Sequence, residues 1–353
     1  MVQIVVSGRG RMNPGVGTVG PTMTSSDTVH AIRFAETGGP EVLRWEEVEV
    51  PEPGPGQLRV RHTAVGLNFV DTYFRSGLYP AQLPSGLGVE AAGVVEAVGP
   101  DTDGWSEGDR VAYATGPMGA YSEATVLYAG SVVRVPDGVD DRTAAAAMLK
   151  GLTVQYLIRQ IHDVGPDTVL LSHAAAGGVG LILGQWAKAL GATVIGTASS
   201  EEKRALAAEN GYDHLIAYRD PGVDVAAEVR ALTDGRGVDV VYDGVGADTF
   251  DASIDSLCPR GLLVTFGNAS GPVPPFSPAL LNAKGSLFVT RPTLANYADT
   301  PERTQAMADD LFAVLASGDV TVRIDQTYPL AEAAKAHEDL EAGRTTGSTV
   351  LLP

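Results

Sequence analysis

The sequence predicts an α/β protein made of a mostly β unit and a doubly wound parallel sheet. Three observations carry that expectation. From about residue 28 to 135, short segments alternate apolar and polar residues with period two and are broken by Gly and Pro. After about residue 150, apolar strands alternate with amphipathic helices, the pattern of a parallel sheet. Near the C-terminus the period-two pattern returns in VTVRIDQTY (320–328) and STVLL (348–352), so the chain end is expected to rejoin the first unit. A length of 353 residues accommodates two domains of ordinary size.

In chain order, GVGTVG at 15–20 matches the glycine fingerprint of dinucleotide-binding loops. The fingerprint has a mechanism only where a strand leads in and a helix leads out. Gly10, Asn13 and Pro14 separate it from the apolar start, and Pro21, Thr22 and Met23 follow it without helical periodicity. Residues 1–27 are therefore expected to form a flexible extension, with Met23 a candidate true start. The segments HAIRF, VLRWEEVEV, QLRVRHTAV, AAGVVEAVG, GDRVAYA and SVVRVP then read as strands, interrupted by one short helix, NFVDTYF. Domain boundaries are expected at 28–149, 150–292 and 293–353, the last returning to the first unit.

In the second unit TVLLSH is a strand, and VGLILGQWAKAL a helix closed by Gly191. ATVIGTA is a strand, SEEKRALAAEN a helix, and DHLIAY, VDVVYD and GLLVTFG are further strands separated by helices at VAAEVRAL and DTFDASIDSL. The helix LAEAAKAHEDLEAG lies between the two C-terminal strands.

Composition narrows the function classes. Apolar residues make up 44% of the chain, as in a globular protein. A formal net charge of −18 argues against binding nucleic acid or anionic lipid by bulk electrostatics. The single cysteine, Cys258, excludes an intramolecular disulfide and any multi-cysteine metal site. With no signal-like h-region and no uninterrupted apolar span, a cytoplasmic protein is expected.

A second glycine cluster, AAAGGVG at 174–180, has the context the first lacks. Ala175, Gly177 and Gly180 fall on the three fingerprint positions, between the strand TVLLSH and an amphipathic helix. Ala176, Gly177, Gly178 and Val179 are accordingly expected to face a pyrophosphate. His173, at the strand end, reads as a packed or hydrogen-bonded core histidine. The next strand discriminates between cofactors. An NAD site carries Asp or Glu about 20 residues past the glycines, whereas here the strand ends Ala198-Ser199-Ser200 with Lys203 one turn on. Two hydroxyls and an ammonium suit a 2′-phosphate, and NADPH is favoured. In the opposing reading Ser199 caps the helix, with Glu202 completing a capping box.

The stretches GGPEVL (38–43), GLNFVDTYFRSGLYP (66–80), LPSGLGVEAAGVV (83–95), LKGLTV (149–154), HAAAGGVGLI (173–182) and GSLFVTRP (285–292) carry a family resemblance. From about residue 29 onward the chain resembles the zinc-independent, zeta-crystallin-like quinone oxidoreductases of the medium-chain dehydrogenase/reductase superfamily. That resemblance implies a GroES-like catalytic domain, a Rossmann domain, NADPH, and a homodimer paired through the edge strand at GSLFVTRP. Zinc-dependent relatives carry Gly-His-Glu where this chain has Gly88-Val89-Glu90, and they carry a cysteine cluster absent here. Valine cannot ligate a metal, so the expected acceptor is already electrophilic: a quinone or an activated enone.

By the same resemblance Asn68, Tyr73 and Tyr79 face the nicotinamide and acceptor, and Thr153 lies near the cofactor phosphates. Asn68 is equally an N-cap for the helix beginning at Phe69, and Tyr73 a core residue. Lys203 and Tyr218 match 2′-phosphate and adenine-side contacts; Phe266, Gly267, Asn268 and Val289 match contacts near the nicotinamide end. The family's late phosphate arginine appears one position further on, as Arg344. The expected activity is metal-free transfer of hydride from NADPH to a quinone-like acceptor. The alternatives are an enone or alkenal reductase, and an NADPH-binding protein with incidental turnover.

Overall fold

The computed structural model describes residues 27–353; the fingerprint at 15–20 and the extension preceding Asp27 lie outside them. The first part holds β1 (Asp27–Phe34), β2 (Arg44–Val50), β3 (Gln57–Leu67), helix α1 (Phe69–Ser76), β4 (Ser85–Gly86), β5 (Ala91–Val98), β6 (Arg110–Tyr113), β7 (Ala124–Tyr128) and β8 (Val133–Arg134). β3 is the hub, antiparallel to β5 and to β7. It buries Leu58 and Val60 in a core shared with Leu87, Val111 and Leu127, and Ala64 in the core around α2. Full burial of a Val or Leu stabilises by about 1.5–3 kcal/mol relative to exposure.

α2 (Asp141–Gln155) follows, then β9 (Val169–Ser172), α3 (Gly178–Ala189), β10 (Thr193–Thr197), α4 (Glu201–Ala208) and β11 (His214–Ile216). α5 (Val225–Leu232), β12 (Val238–Asp243), α6 (Phe250–Ser256), β13 (Leu257–Thr265), α7 (Ala279–Ala283) and β14 (Phe288–Thr290) complete the second sheet. The strands lie in the order β11-β10-β9-β12-β13-β14, every pair parallel. Strand order reverses between β9 and β12. The loops leaving their carboxyl ends part there to opposite faces, opening a crevice of the kind that receives ligands.

The remaining elements are α8 (Pro301–Ser317), β15 (Ile324–Pro329), α9 (Ala333–Glu341) and β16 (Ser348–Leu352). β16 pairs antiparallel with β3 and parallel with β15, so the chain end rejoins the first sheet as its alternation predicts. β15, however, begins at Ile324 rather than Val320. The Thr321 N–H donates to Gln185 Oε1 at 2.9 Å and its carbonyl accepts from Gln185 Nε2 at 3.1 Å, which docks this stretch on α3 instead of a strand.

α2 is one of the helices that periodicity did not announce. Ala144–Ala147, Met148 and Leu152 are all buried, because α2 packs on β3, β5 and β6 and also on α3 and α8. A helix covered all round has no apolar stripe to read. Asp140 caps it, accepting from Thr143 N–H at 3.0 Å. The change of texture near residue 150 falls inside this helix.

Candidate functional site

β9 ends at Ser172, and the turn that follows is closed by Gly177 N–H donating to the Ala174 carbonyl at 2.9 Å. Ala174 takes φ +56°, a left-handed conformation uncommon for a residue with a Cβ. Gly180 is where helix meets strand. A Cβ there would lie 2.5 Å from the Ala174 carbonyl and 2.6 Å from that of Ala175. Gly177 differs: its only neighbour within 4 Å of a Cβ would be the Ala174 carbonyl at 3.3 Å, so the protein leaves its outer side open. Ala176 is buried, while Gly177, Gly178 and Val179 are half-buried and open α3, whose first N–H groups lack intrahelical partners. Such a cradle fits a pyrophosphate. The loop also pairs with the segment before β16, Gly347 N–H donating to the Ala176 carbonyl at 3.1 Å.

Past β10, the capping box expected of Ser199 and Glu202 does not form. Ala198 N–H still donates to the Ile216 carbonyl, which carries the extended chain one residue further, and Ser200 becomes the cap, accepting from Lys203 N–H at 3.3 Å. Ser199 is thereby released from capping. Lys203 Nζ donates to the Gly343 carbonyl at 3.0 Å. Burial first, and Arg219 second, pull its ammonium below the usual lysine range. Arg219, which the sequence reading passed over, stands 5.7 Å from the centroid of the exposed Tyr218 ring. Its signal was adjacency to Tyr218 just beyond β11. Arg344 does lie beside this cluster, but its guanidinium is engaged by Asp339, Nε to Oδ1 at 2.7 Å. Hydrogen bonds from Lys335, Tyr328 and Arg344 hold the Asp339 carboxyl well below the ordinary carboxylate range.

At the other end of the crevice, Tyr73 from α1 and Tyr79 meet edge to face, ring centroids 5.3 Å apart. Both phenols reach the loop after β13. Asn268 N–H donates to Tyr73 Oη at 2.9 Å. The Asn268 amide, with its oxygen toward Tyr79 and Arg291, accepts from Arg291 Nη2 at 3.1 Å and from Tyr79 Oη at 3.3 Å. Arg291 Nη2 also donates to Tyr79 Oη at 3.0 Å, and Nη1 to the Thr265 carbonyl at 2.9 Å. Arg291 was missed because its stretch read as an edge strand. Phe266 begins this loop, its N–H bonded to the Asp243 carbonyl, and Gly267 follows. Val289 is held in β14 opposite Leu263. Thr153 lies in the last turn of α2, where Oγ1 donates to the Leu149 carbonyl at 2.7 Å. His173 is a core residue as read, hydrogen-bonded to Thr197 Oγ1 at 3.1 Å and Ser253 Oγ at 3.0 Å.

Asn68 is buried. With Asp71 it is disposed as a capping box, but only the Asp71 half closes, its Oδ2 accepting from Asn68 N–H at 2.8 Å. The Asn68 amide nitrogen donates instead to Glu90 Oε2 at 2.7 Å. Asp71 also accepts from Tyr121 Oη at 2.9 Å, and Tyr121 meets His337 Nε2 at 3.1 Å. Burial raises Asp71 to about 7 and lowers His337 to about 3.

An acid whose folded value lies above its unfolded 3.8 contributes stability that is full in acid and lost as pH rises through about 7. Asp71→Asn removes that loss. The stability of Asp71→Asn relative to the natural protein is therefore expected to climb between pH 5 and 7, by up to about 1.4 kcal/mol per pH unit, and then level off. Urea unfolding of both proteins at pH 5, 6, 7 and 8 measures it; parallel pH profiles would refute the raised value.

No group of three or more His, Cys, Asp or Glu among the described residues is arranged to hold a metal ion. The one carboxylate of the Gly88-Val89-Glu90 triplet is surrounded by donors, Leu149 N–H at 2.5 Å among them, so these residues do not fit a zinc site. No helix among the described residues is long and apolar enough to cross a membrane.

Two family models match the chain: "Alcohol dehydrogenase GroES-like domain" over residues 54–137 and "Zinc-binding dehydrogenase" over 178–309. A quinone oxidoreductase of Pseudomonas aeruginosa is 58% identical over 323 residues, 91% of this chain and 99% of that protein. The 2-haloacrylate reductase of a Burkholderia species is 45% identical over 332 residues, 92% of this chain and 99% of that one. The structure of Escherichia coli quinone oxidoreductase complexed with NADPH, 46% identical, superposes with a TM-score of 0.90 and covers 92% of this chain and 100% of its own. The resemblance expected from the motifs is thus realised over nearly the whole described chain, and the protein belongs to the quinone oxidoreductases of the medium-chain dehydrogenase/reductase superfamily.

Proposed function

We propose that this protein is an NADPH-dependent reductase that passes hydride to a quinone-like acceptor in the crevice between its two sheets. In this reading residues 28–149 and 293–353 carry the acceptor side and 150–292 the cofactor side, in the cytoplasm. One observation supports it above others: Tyr73, Tyr79, Asn268 and Arg291 form one hydrogen-bonded group at the same strand ends as the open face of Gly177.

Bound NADPH supplies the hydride from its dihydronicotinamide. The N–H groups opening α3 hold the pyrophosphate, and Ser199, Lys203 and Arg219 hold the 2′-phosphate beside Tyr218. Tyr73 and Tyr79 flank a flat ring and orient it. Burial pushes the Tyr73 phenol up, so it keeps its proton and donates a hydrogen bond. Arg291 adds a fixed positive charge where the acceptor oxygen becomes negative. The proton that completes reduction comes from water.

A second reading is favoured by the 2-haloacrylate reductase match: reduction of the carbon–carbon bond of an activated enone. Purified protein mixed with NADPH and a panel of ortho-quinones, para-quinones and enones, followed by nicotinamide absorbance, tests both. Oxidation with quinones is expected; oxidation with enones alone would install the second reading. Tight binding without turnover would leave a nucleotide-binding protein.

The same reading includes a homodimer through β14. Among the described residues this edge strand pairs only with β13, and it exposes Phe288 to 61%, beside a groove of about 1100 Å³ lined in part by Leu262, Val289 and Tyr297. An exposed apolar edge is a template for pairing with another chain. Phe288→Lys is expected to halve the mass measured by light scattering; an unchanged mass would reject this interface.

A further inference from the structure

Glu90 is fully buried, and all of its hydrogen-bond partners are donors. Oε1 accepts from Leu149 N–H at 2.5 Å; Oε2 accepts from Asn68 Nδ2 at 2.7 Å and Lys150 Nζ at 3.3 Å. Lys150 also donates to the Leu67 carbonyl, the residue before Asn68, at 3.3 Å. Its stem runs beneath the phosphate loop, where a Cβ on Gly178 would stand 2.7 Å from Lys150 Cδ. One carboxylate thus joins the residue under the crevice to the loop expected to hold phosphate.

An acceptor-only head beside an amide decides which way the amide points, because the nitrogen must face the carboxylate. We infer that Glu90 is a positioning residue that locks Asn68 with its amide oxygen toward the crevice, so that Asn68 accepts from a hydroxyl of the cofactor's ribose and does not serve the acceptor's carbonyl. A ribose hydroxyl donates; a quinone carbonyl only accepts. The inference rests on the crevice being the NADPH site.

Glu90→Gln tests the polarity. The Leu149 N–H is fixed by its helix and retains the glutamine oxygen, so the glutamine nitrogen faces Asn68, whose amide turns over, and Lys150, which keeps the Leu67 carbonyl as its acceptor. A donor then meets the ribose hydroxyl. Losing one such hydrogen bond and leaving a donor unpaired is expected to raise the Kd for NADPH about ten-fold or more in fluorescence titrations without acceptor, with the KM for quinone little changed. Asn68→Asp alone sets two carboxylates face to face and weakens binding too. Combined with Glu90→Gln, it restores one donor facing one acceptor and leaves an oxygen toward the crevice, and most of the affinity is expected to return.

Unchanged NADPH affinity in Glu90→Gln, no recovery in the double variant, or a loss confined to quinone KM would each overturn the inference. An Asn68→Ala variant that binds NADPH as the natural protein does would instead remove the reading of Asn68 on which it stands. If Glu90→Gln does not fold, neutron diffraction of the natural protein with NADPH decides. Deuterons on the Asn68 atom facing Glu90 support the assignment, and deuterons on the atom facing the crevice overturn it.

Discussion

Gly177→Ala is expected to fold with nearly natural stability and to bind NADPH at least about ten-fold more weakly, because its new methyl meets the ligand and not the protein. The backbone at Gly177, φ −81° and ψ 168°, is extended and open to any residue. Within the protein a Cβ there has only the 3.3 Å approach to the Ala174 carbonyl to relieve. What it fills is the open side of the loop, where a pyrophosphate must touch backbone. Gly180→Ala has the opposite signature. Its Cβ would press on two carbonyls at 2.5 and 2.6 Å, both backbone, and could be relieved only by moving α3 off β9. Such overpacking costs about 1–3 kcal/mol, and a lowered Tm is expected. Thermal unfolding and NADPH titration of the two variants separate the roles. A Gly177→Ala protein that binds NADPH normally would mean that the phosphates lie elsewhere.

Lys203→Ala is expected to weaken NADPH by about 10–100-fold and NADH hardly at all, the range for loss of one charge-assisted hydrogen bond. Arg219→Ala should act in the same direction, since Arg219 makes no ion pair with the described residues and is available to a phosphate. Arg344→Ala should do less. Its guanidinium is already committed to Asp339, and a 2′-phosphate would have to compete with that carboxylate. Titrating each variant with both cofactors checks the ranking, and added salt should erode only the NADPH preference. Equal weakening of both cofactors by Lys203→Ala would remove the phosphate assignment.

Legibility followed the strength of the local pattern. The strand-loop-helix at 168–190 could be read because β9 is a continuous apolar run and Gly180 closes a turn that only a glycine fits. β16 could be read from its run STVLL, although the strand is buried on both faces, Val350 entering one core and Leu351 the other. α2 could not: Ala144–Ala147 carry no polar side for a period to show. α8 had its signals in Thr300, which accepts from Arg303 N–H at 3.3 Å, in Pro301 and in Gly318, but they were not read as a helix. The N-cap at Ser200 was misread by one residue, since where a strand stops depends on its neighbour: Ala198 stays bonded to Ile216.

Local chemistry in the sequence was thus enough to determine the two-part architecture, the glycine turn between β9 and α3 and the valine at position 89, because each depends on residues close together along the chain. Tertiary structure alone decided that Arg291 and Asn268 reach Tyr79, that Arg344 is held by Asp339, and that Glu90 turns the amide of Asn68. Those contacts join residues from 5 to 212 positions apart. The direction of a side chain within reach of several partners is set by which donors and acceptors the fold assembles around it, and no local pattern records that.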